Sequence, residues 1–196
     1  MSNTPFFTST AGVAVPRMLY GTAWKKERTT ALVLQAFRAG FRGIDTACQP
    51  KHYDEAGVGG ALRQLQTQGI KRGDYYLQTK FTPLSGQDPE RVPYDPSAPL
   101  ADQVAQSFVA SCRNLHTDQL DGLILHSPLP TPAQTLTAWR AMEPLGRCAP
   151  HATGSRKRAH RRLAGDAVHA VVHHALGRAQ PRLHGADAGL CQRWPR

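Results

Sequence analysis

Three apolar runs, each ending at a residue able to do chemistry, constrain this chain more than anything else in it. Residues 41–45 (FRGID) close on Asp45, residues 75–81 (YYLQTKF) end their run at Lys80, and residues 120–125 (LDGLIL) lead straight into His126. Between them the periodicity turns helical. Val58, Ala61, Leu62 and Leu65 fall at i, i+3, i+4 and i+7, and Val104, Phe108, Ser111, Cys112 and Leu115 share one face. Strands alternating with such helices predict a parallel sheet covered by helices. In a closed barrel of βα units the C-terminal strand ends converge on one mouth, where active sites are built.

Taken in order, residues 5–16 read as a hairpin about Ala11 and Gly12, and residues 17–22 as a first strand. A helix is expected over 28–39 with Gly40 as its stop, and another from near Asp54 to Thr67, ended by Gly69. Residues 82–101 hold five prolines and little periodicity, which predicts a long loop on the catalytic rim. Thr131, Pro132 and Gln134 combine an N-cap, a proline at the first helical position and a capping-box glutamine, starting a helix that runs to about residue 143. The expected fold class is α/β: a hairpin plus about four βα units, a partial (β/α)8 barrel over residues 1–145.

Residues 146–196 have a different character. Most of the formal charge of +10 is theirs: 10 Lys and Arg against 2 acids give +8, compared with 14 against 12, or +2, in residues 1–145. They contain no Ile, Phe, Tyr, Met or Glu, and Trp194 is their one aromatic residue. Such a segment can bury little apolar surface, so a disordered basic tail is expected, with a short helix over 167–176 and no strand. Three readings of it stay open. It is out-of-frame or intron translation, or a basic tail for nucleic acid or an acidic partner, or a metal site at His169, His173 and His174. Without interleaved aromatics or a recognisable motif, nucleic acid is not the expected partner. Without a further ligand of recognisable spacing, the histidines read as chance, and no metal is expected.

The four cysteines lie far apart and match no zinc spacing, so they are read as reduced thiols. The N-terminus shows no basic and apolar leader, and no apolar run approaches the ~20 residues of a membrane helix. The expected location is the cytoplasm, away from membranes.

Asp45, Tyr53, Lys80 and His126 suit one reaction. Reduction of a carbonyl by hydride transfer needs an acid to protonate the developing alkoxide, and a tyrosine hydroxyl (ordinary pKa about 10) can serve. The Lys80 ammonium lowers that pKa, the Asp45 carboxylate holds the lysine, and His126 hydrogen-bonds the carbonyl. Each residue alone reads as a strand-end, packing or cap residue. Together, on consecutive βα units, they point to one site.

With Gly21-Thr22-Ala23-Trp24, Gly43-Ile44-Asp45-Thr46-Ala47, Tyr53-Asp54-Glu55 with Val58-Gly59, Gln78-Thr79-Lys80 and Leu125-His126-Ser127-Pro128 in view, residues 13–145 resemble the aldo-keto reductases. The resemblance implies a (β/α)8 barrel closed at the bottom by an N-terminal hairpin. It implies NADPH, less often NADH, bound without a Rossmann fold, and small aldehydes and ketones reduced to alcohols. It assigns the catalytic roles to Asp45, Tyr53, Lys80 and His126, the nicotinamide contacts to Gly21, Thr22 and Asp45, and the substrate pocket to Trp24.

Two departures from the family pattern stand out. Asp45 and Tyr53 are three residues farther apart than in the common D-T-A-x-x-Y-x-N-E motif, Asp54 replaces its Asn, and Pro50 occupies the usual tyrosine position. The second half of the barrel, whose late loops bind the cofactor phosphates, has no counterpart, although a full barrel takes roughly 250 residues. Weak NADPH binding, little turnover, open edges at the first and fourth barrel strands, and self-association through them are therefore expected. The rival expectation is a non-catalytic pseudoenzyme fragment whose basic tail binds an acidic partner.

Overall fold

A computed structural model describes residues 6–9, 12–145 and 169–172. Strands β1 (Phe6–Thr8) and β2 (Ala14–Pro16) form the antiparallel hairpin, with Gly12 at φ +79° in its turn. The βα units follow: β3 (Tyr20–Gly21), α1 (Thr29–Arg38), β4 (Gly43–Asp45), α2 (Glu55–Thr67), β5 (Tyr76–Phe81), α3 (Leu100–Leu115), β6 (Gly122–Leu125) and α4 (Pro132–Met142). A last strand, β7 (His169–Val172), completes a parallel sheet in the order β3-β4-β5-β6-β7. Sequential parallel order, with each helix packed on the next, is the arrangement of consecutive units in a (β/α) barrel.

Local chemistry sets the helix ends. Gly40 (φ +94°) takes the left-handed conformation that lets the Phe41 amide reach back to the Ala36 carbonyl at 3.0 Å. The Asp54 carboxylate accepts the Gly57 amide at 2.8 Å to start α2, and the Thr131 hydroxyl accepts the Gln134 amide at 3.2 Å to start α4. Strand alternation divides β5. Leu77, Thr79 and Phe81 face the helices, whereas Tyr76, Gln78 and Lys80 share the opposite face with Asp45. The core lies on the helix side, where Val33, Phe37, Ile44, Leu62, Leu77 and Phe108 pack together.

Several strands are shorter than the sequence suggests. Residues 41 and 42 precede β4, where the Arg42 guanidinium donates to the Phe37 and Phe41 carbonyls at 3.0 and 2.7 Å. Residues 82–99 form the long loop expected there, with one short 3-10 turn at Leu84–Gly86, and α3 takes over at Leu100. Gln87 donates to the Cys48 and Thr82 carbonyls, and the Tyr94 hydroxyl to Thr82, so this segment is tied down beside the sheet's C-terminal edge.

The tail expectation is corrected where it can be seen. Residues 169–172 are a strand, not part of a helix, in register from Gly122 opposite His169 to Leu125 opposite Val172. The alanines of this stretch suggest a helix, but Ala170-Val171-Val172 is also a β-branched apolar run. The unpaired backbone edge of β6 offers it a template. That edge, expected to be bare, is covered. His169 therefore does not share a helix face with His173, which lies, like His174, outside the described residues. The disorder expected of the tail and its basic clusters also fall outside them.

Cys48 is a buried free thiol, whereas Cys112 is disulfide-bonded, contrary to the reading of four reduced thiols. Distance along the chain says nothing about proximity in space. Cys148 and Cys191 lie outside the described residues. No helix among the described residues is long and apolar enough to cross a membrane.

Candidate active site

The sheet's C-terminal edge brings the four expected residues together. Asp45 ends β4 and Lys80 lies one residue before the end of β5, with its ammonium 2.7 Å from Asp45 Oδ2 and 2.8 Å from the Thr46 carbonyl. The second Asp45 oxygen accepts Gln78 Nε2 at 2.6 Å, and Gln78 Oε1 accepts the Tyr76 hydroxyl at 3.1 Å. The Asp45 carboxylate is thus fixed from both sides. Burial lowers the Lys80 pKa, and the Asp45 charge and hydrogen bond act against that shift.

The long spacing from Asp45 to Tyr53 is absorbed by a turn. The Gln49 carbonyl accepts both the His52 and Tyr53 amides at 3.0 Å, and the Gln49 side chain anchors the turn by donating to the Gly86 carbonyl at 2.7 Å. Tyr53 then sits with its ring centroid 4.9 Å from Lys80 Nζ and 5.8 Å from the edge-on ring of His126. Its pKa moves opposite to the sequence argument. Burial raises it, and the Asp45 carboxylate raises it further. With the Lys80 charge matched by Asp45, no net cation is left to favour the phenolate, and the hydroxyl keeps its proton at neutral pH.

His126 follows β6 directly, its amide bonded to the Phe81 carbonyl at 2.9 Å. The ring Nδ1 lies 2.7 Å from the Thr82 hydroxyl, which fixes the ring's orientation. Sequence reasoning missed Thr82 and Gln78. Gln78 was within reach of it, since a residue two positions before Lys80 on a strand must share its face. Thr82 lies past the strand end and carried no such signal.

Gly21 pairs with Asp45 in the sheet and borders open space, where a Cβ would meet nothing within 4 Å. Thr22 is buried, with its amide and hydroxyl both donating to the Asp45 carbonyl at 3.0 Å. Trp24 is largely exposed at 64% and stacks on His52 with ring centroids 3.7 Å apart.

Behind the sheet lies a second polar cluster that the sequence did not reveal. Glu55 is buried and accepts hydrogen bonds from Thr79 at 2.5 Å, Ser111 at 2.8 Å and Asn114 at 3.2 Å, joining α2 to β5 and α3. Burial pushes its pKa up against those hydrogen bonds. Burial, followed by the Glu55 charge, raises the neighbouring Cys48 thiol to about 12, so it is an inert thiol at neutral pH.

A protonated phenol, an oriented imidazole and an ammonium–carboxylate pair at one mouth can orient a carbonyl oxygen and give it a proton. Residues 17–147 match the family described as Aldo/keto reductase family. A methylglyoxal reductase of Salmonella typhimurium is 28% identical over 144 residues, covering 72% of this chain and 45% of that protein. The crystal structure of an aldo/keto reductase from Brucella melitensis aligns with a TM-score of 0.54 at 28% identity, over 70% of this chain and 47% of that one. A silkworm aldo-keto reductase complexed with NADPH shares the fold, with a TM-score of 0.56 at 22% identity over 71% and 43% of the two chains. The chain spans about half the length of the curated relatives it matches.

Proposed function

Since the chain belongs to the aldo/keto reductase family, we propose that its tetrad serves NADPH-dependent reduction of aldehydes and ketones to alcohols, with Tyr53 as the proton donor. The observation that carries this reading is the convergence of Asp45, Lys80, Tyr53 and His126 at the ends of three neighbouring strands. The open space beside Gly21 suits a flat ring, and Gly21, Thr22 and Asp45 would hold the nicotinamide end of the cofactor. NADH, which presents the same ring, is the second candidate.

When bound, the nicotinamide supplies the hydride that adds to the carbonyl carbon. His126 orients the carbonyl oxygen, and Tyr53 gives its hydroxyl proton to that oxygen as negative charge develops there. Lys80 stabilises the phenolate left behind, while Asp45 keeps the lysine charged and in place. Solvent then returns the proton to Tyr53. Methylglyoxal, which the Salmonella relative is named for reducing, is the small carbonyl to offer first.

Deuterium transfer tests the reading. Incubation with NADPH deuterated at C4 and methylglyoxal should place deuterium on the carbinol carbon of the product. Product alcohol without label, or no alcohol at all, would contradict it.

A further inference from the structure

We propose that the cleft beside Tyr53 binds carbonyl compounds carrying an anionic group, a carboxylate or a phosphate, held by Lys26 and Lys51; this rests on Tyr53 being the proton donor. The cleft has a volume of about 470 Å³. Trp24, His52 and Tyr53 give it aromatic walls, and Lys26, Lys51 and Arg91 stand around them.

A balance of charges singles out the two lysines. Asp54, the one carboxylate lining the cleft, is engaged by the Gly57 amide at the start of α2. Arg91 is paired with Asp88 at 2.9 Å, and that hydrogen bond, with a smaller contribution from Lys51, holds the Asp88 carboxyl below its ordinary value. Among the described residues, neither Lys26 nor Lys51 has a carboxylate within salt-bridge distance. Two cations with no carboxylate at contact distance among the described residues, Asp88 acting on Lys51 only from beyond salt-bridge range, favour a negatively charged guest in the cleft they share with Tyr53.

Backbone conformation gives independent support. Trp24 and Lys26 both have positive φ, +62° and +49°, in a loop that lines the cleft. Bulky residues enter that region only when their surroundings force them to. His116, the other such residue among those described, sits at the end of α3, where a left-handed cap is ordinary. Here the forcing contacts are the Trp24 amide on the His52 carbonyl at 2.7 Å and the Thr29 hydroxyl on the Lys26 carbonyl at 2.7 Å. The chain thus holds the backbone of both residues in the left-handed region, and both line the same cleft.

The test uses product alcohols, which cannot form imines with lysine. The whole chain is titrated at low salt with 4-(hydroxymethyl)benzoate, 4-(hydroxymethyl)phenyl phosphate and neutral benzyl alcohol, following tryptophan fluorescence. Trp24→Phe identifies the signal that arises in the cleft. At least one anionic alcohol should bind roughly tenfold more tightly than benzyl alcohol, and the stronger of the two shows which anion the cleft prefers. In the Lys26→Ala/Lys51→Ala variant the advantage should vanish, while benzyl alcohol binds as before. Equal affinities in the unaltered chain, or a preference that survives the double substitution, would overturn the proposal. So would adenosine 2′,5′-bisphosphate being the sole ligand sensitive to the lysines, since the cleft would then serve the cofactor's phosphates. Deuterium transfer without an anion preference overturns this inference alone. An anion preference without deuterium transfer supports the cleft's selectivity and counts against the reductase reading.

Discussion

Lys80 Nζ lies 2.7 Å from Asp45 Oδ2, with the two side chains 6% and 22% exposed. That contact decides the electrostatics of the mouth. Burial lowers the pKa of the lysine, and the carboxylate opposes that shift. The same carboxylate raises Tyr53, so the pair favours a protonated phenol before any ligand arrives. Lys80 Nζ also lies 4.9 Å from the centroid of the Tyr53 ring, over its face.

Breaking the pair from one side should be costly. Lys80→Met leaves the Asp45 carboxylate without its cation, and the expected loss in urea unfolding is about 3 kcal/mol. Adding Asp45→Asn removes the stranded charge and should restore a large part of that loss. A double-mutant cycle measures the coupling, and strictly additive losses would show that the contact contributes nothing of its own.

Glu55 makes a pH-dependent prediction with a definite sign. Its folded pKa is raised, so the folded chain holds this proton more tightly than the unfolded one. The stability linked to this group is fully present in acid. It is lost as pH rises from the ordinary glutamate value of about 4.3 until the folded carboxyl ionises. Glu55→Gln keeps the acceptor for Thr79 and Ser111 without the titration. Unfolding midpoints between pH 4 and 8 should therefore fall more steeply in the unaltered chain than in the variant. Parallel curves would contradict this.

Two adjacent glycines in α2 should respond to alanine in opposite directions. A Cβ on Gly59 would run into the backbone carbonyl of Asn114, whereas one on Gly60 would meet Thr30 Oγ1 at an ordinary 3.7 Å. Gly59→Ala is expected to destabilise by about 2 kcal/mol by pushing α2 off α3. Gly60→Ala should stabilise by about 0.5–1 kcal/mol through helix propensity alone. Thermal denaturation of the two variants reads both signs.

What was legible in the sequence followed local chemistry. The bounds of α2, Glu55–Thr67, follow from the Asp54 cap and Gly69, and the start of α4 from the Thr131–Gln134 pair; both are fixed within a few residues. The positions of Asp45, Lys80 and His126 at strand ends were legible because strand and loop differ in composition. What stayed hidden was settled by distant partners. The pairing of residues 169–172 depends on the free edge of β6, and the orientation of His126 on a hydroxyl 44 residues away. The direction of the Tyr53 shift was missed for the same reason, since it needed the Asp45 charge and the burial weighed together.

The central claim, that Tyr53 is the acid of a carbonyl reductase, is tested most directly by single-turnover NADPH oxidation. The purified chain is mixed with saturating NADPH and methylglyoxal, beside Tyr53→Phe, and the loss of nicotinamide absorbance is followed. The account predicts a carbonyl-dependent rate that falls by about 10²- to 10⁴-fold in the variant, with the unfolding midpoint unchanged. An equal rate in Tyr53→Phe, or no carbonyl-dependent oxidation in the unaltered chain, would contradict it.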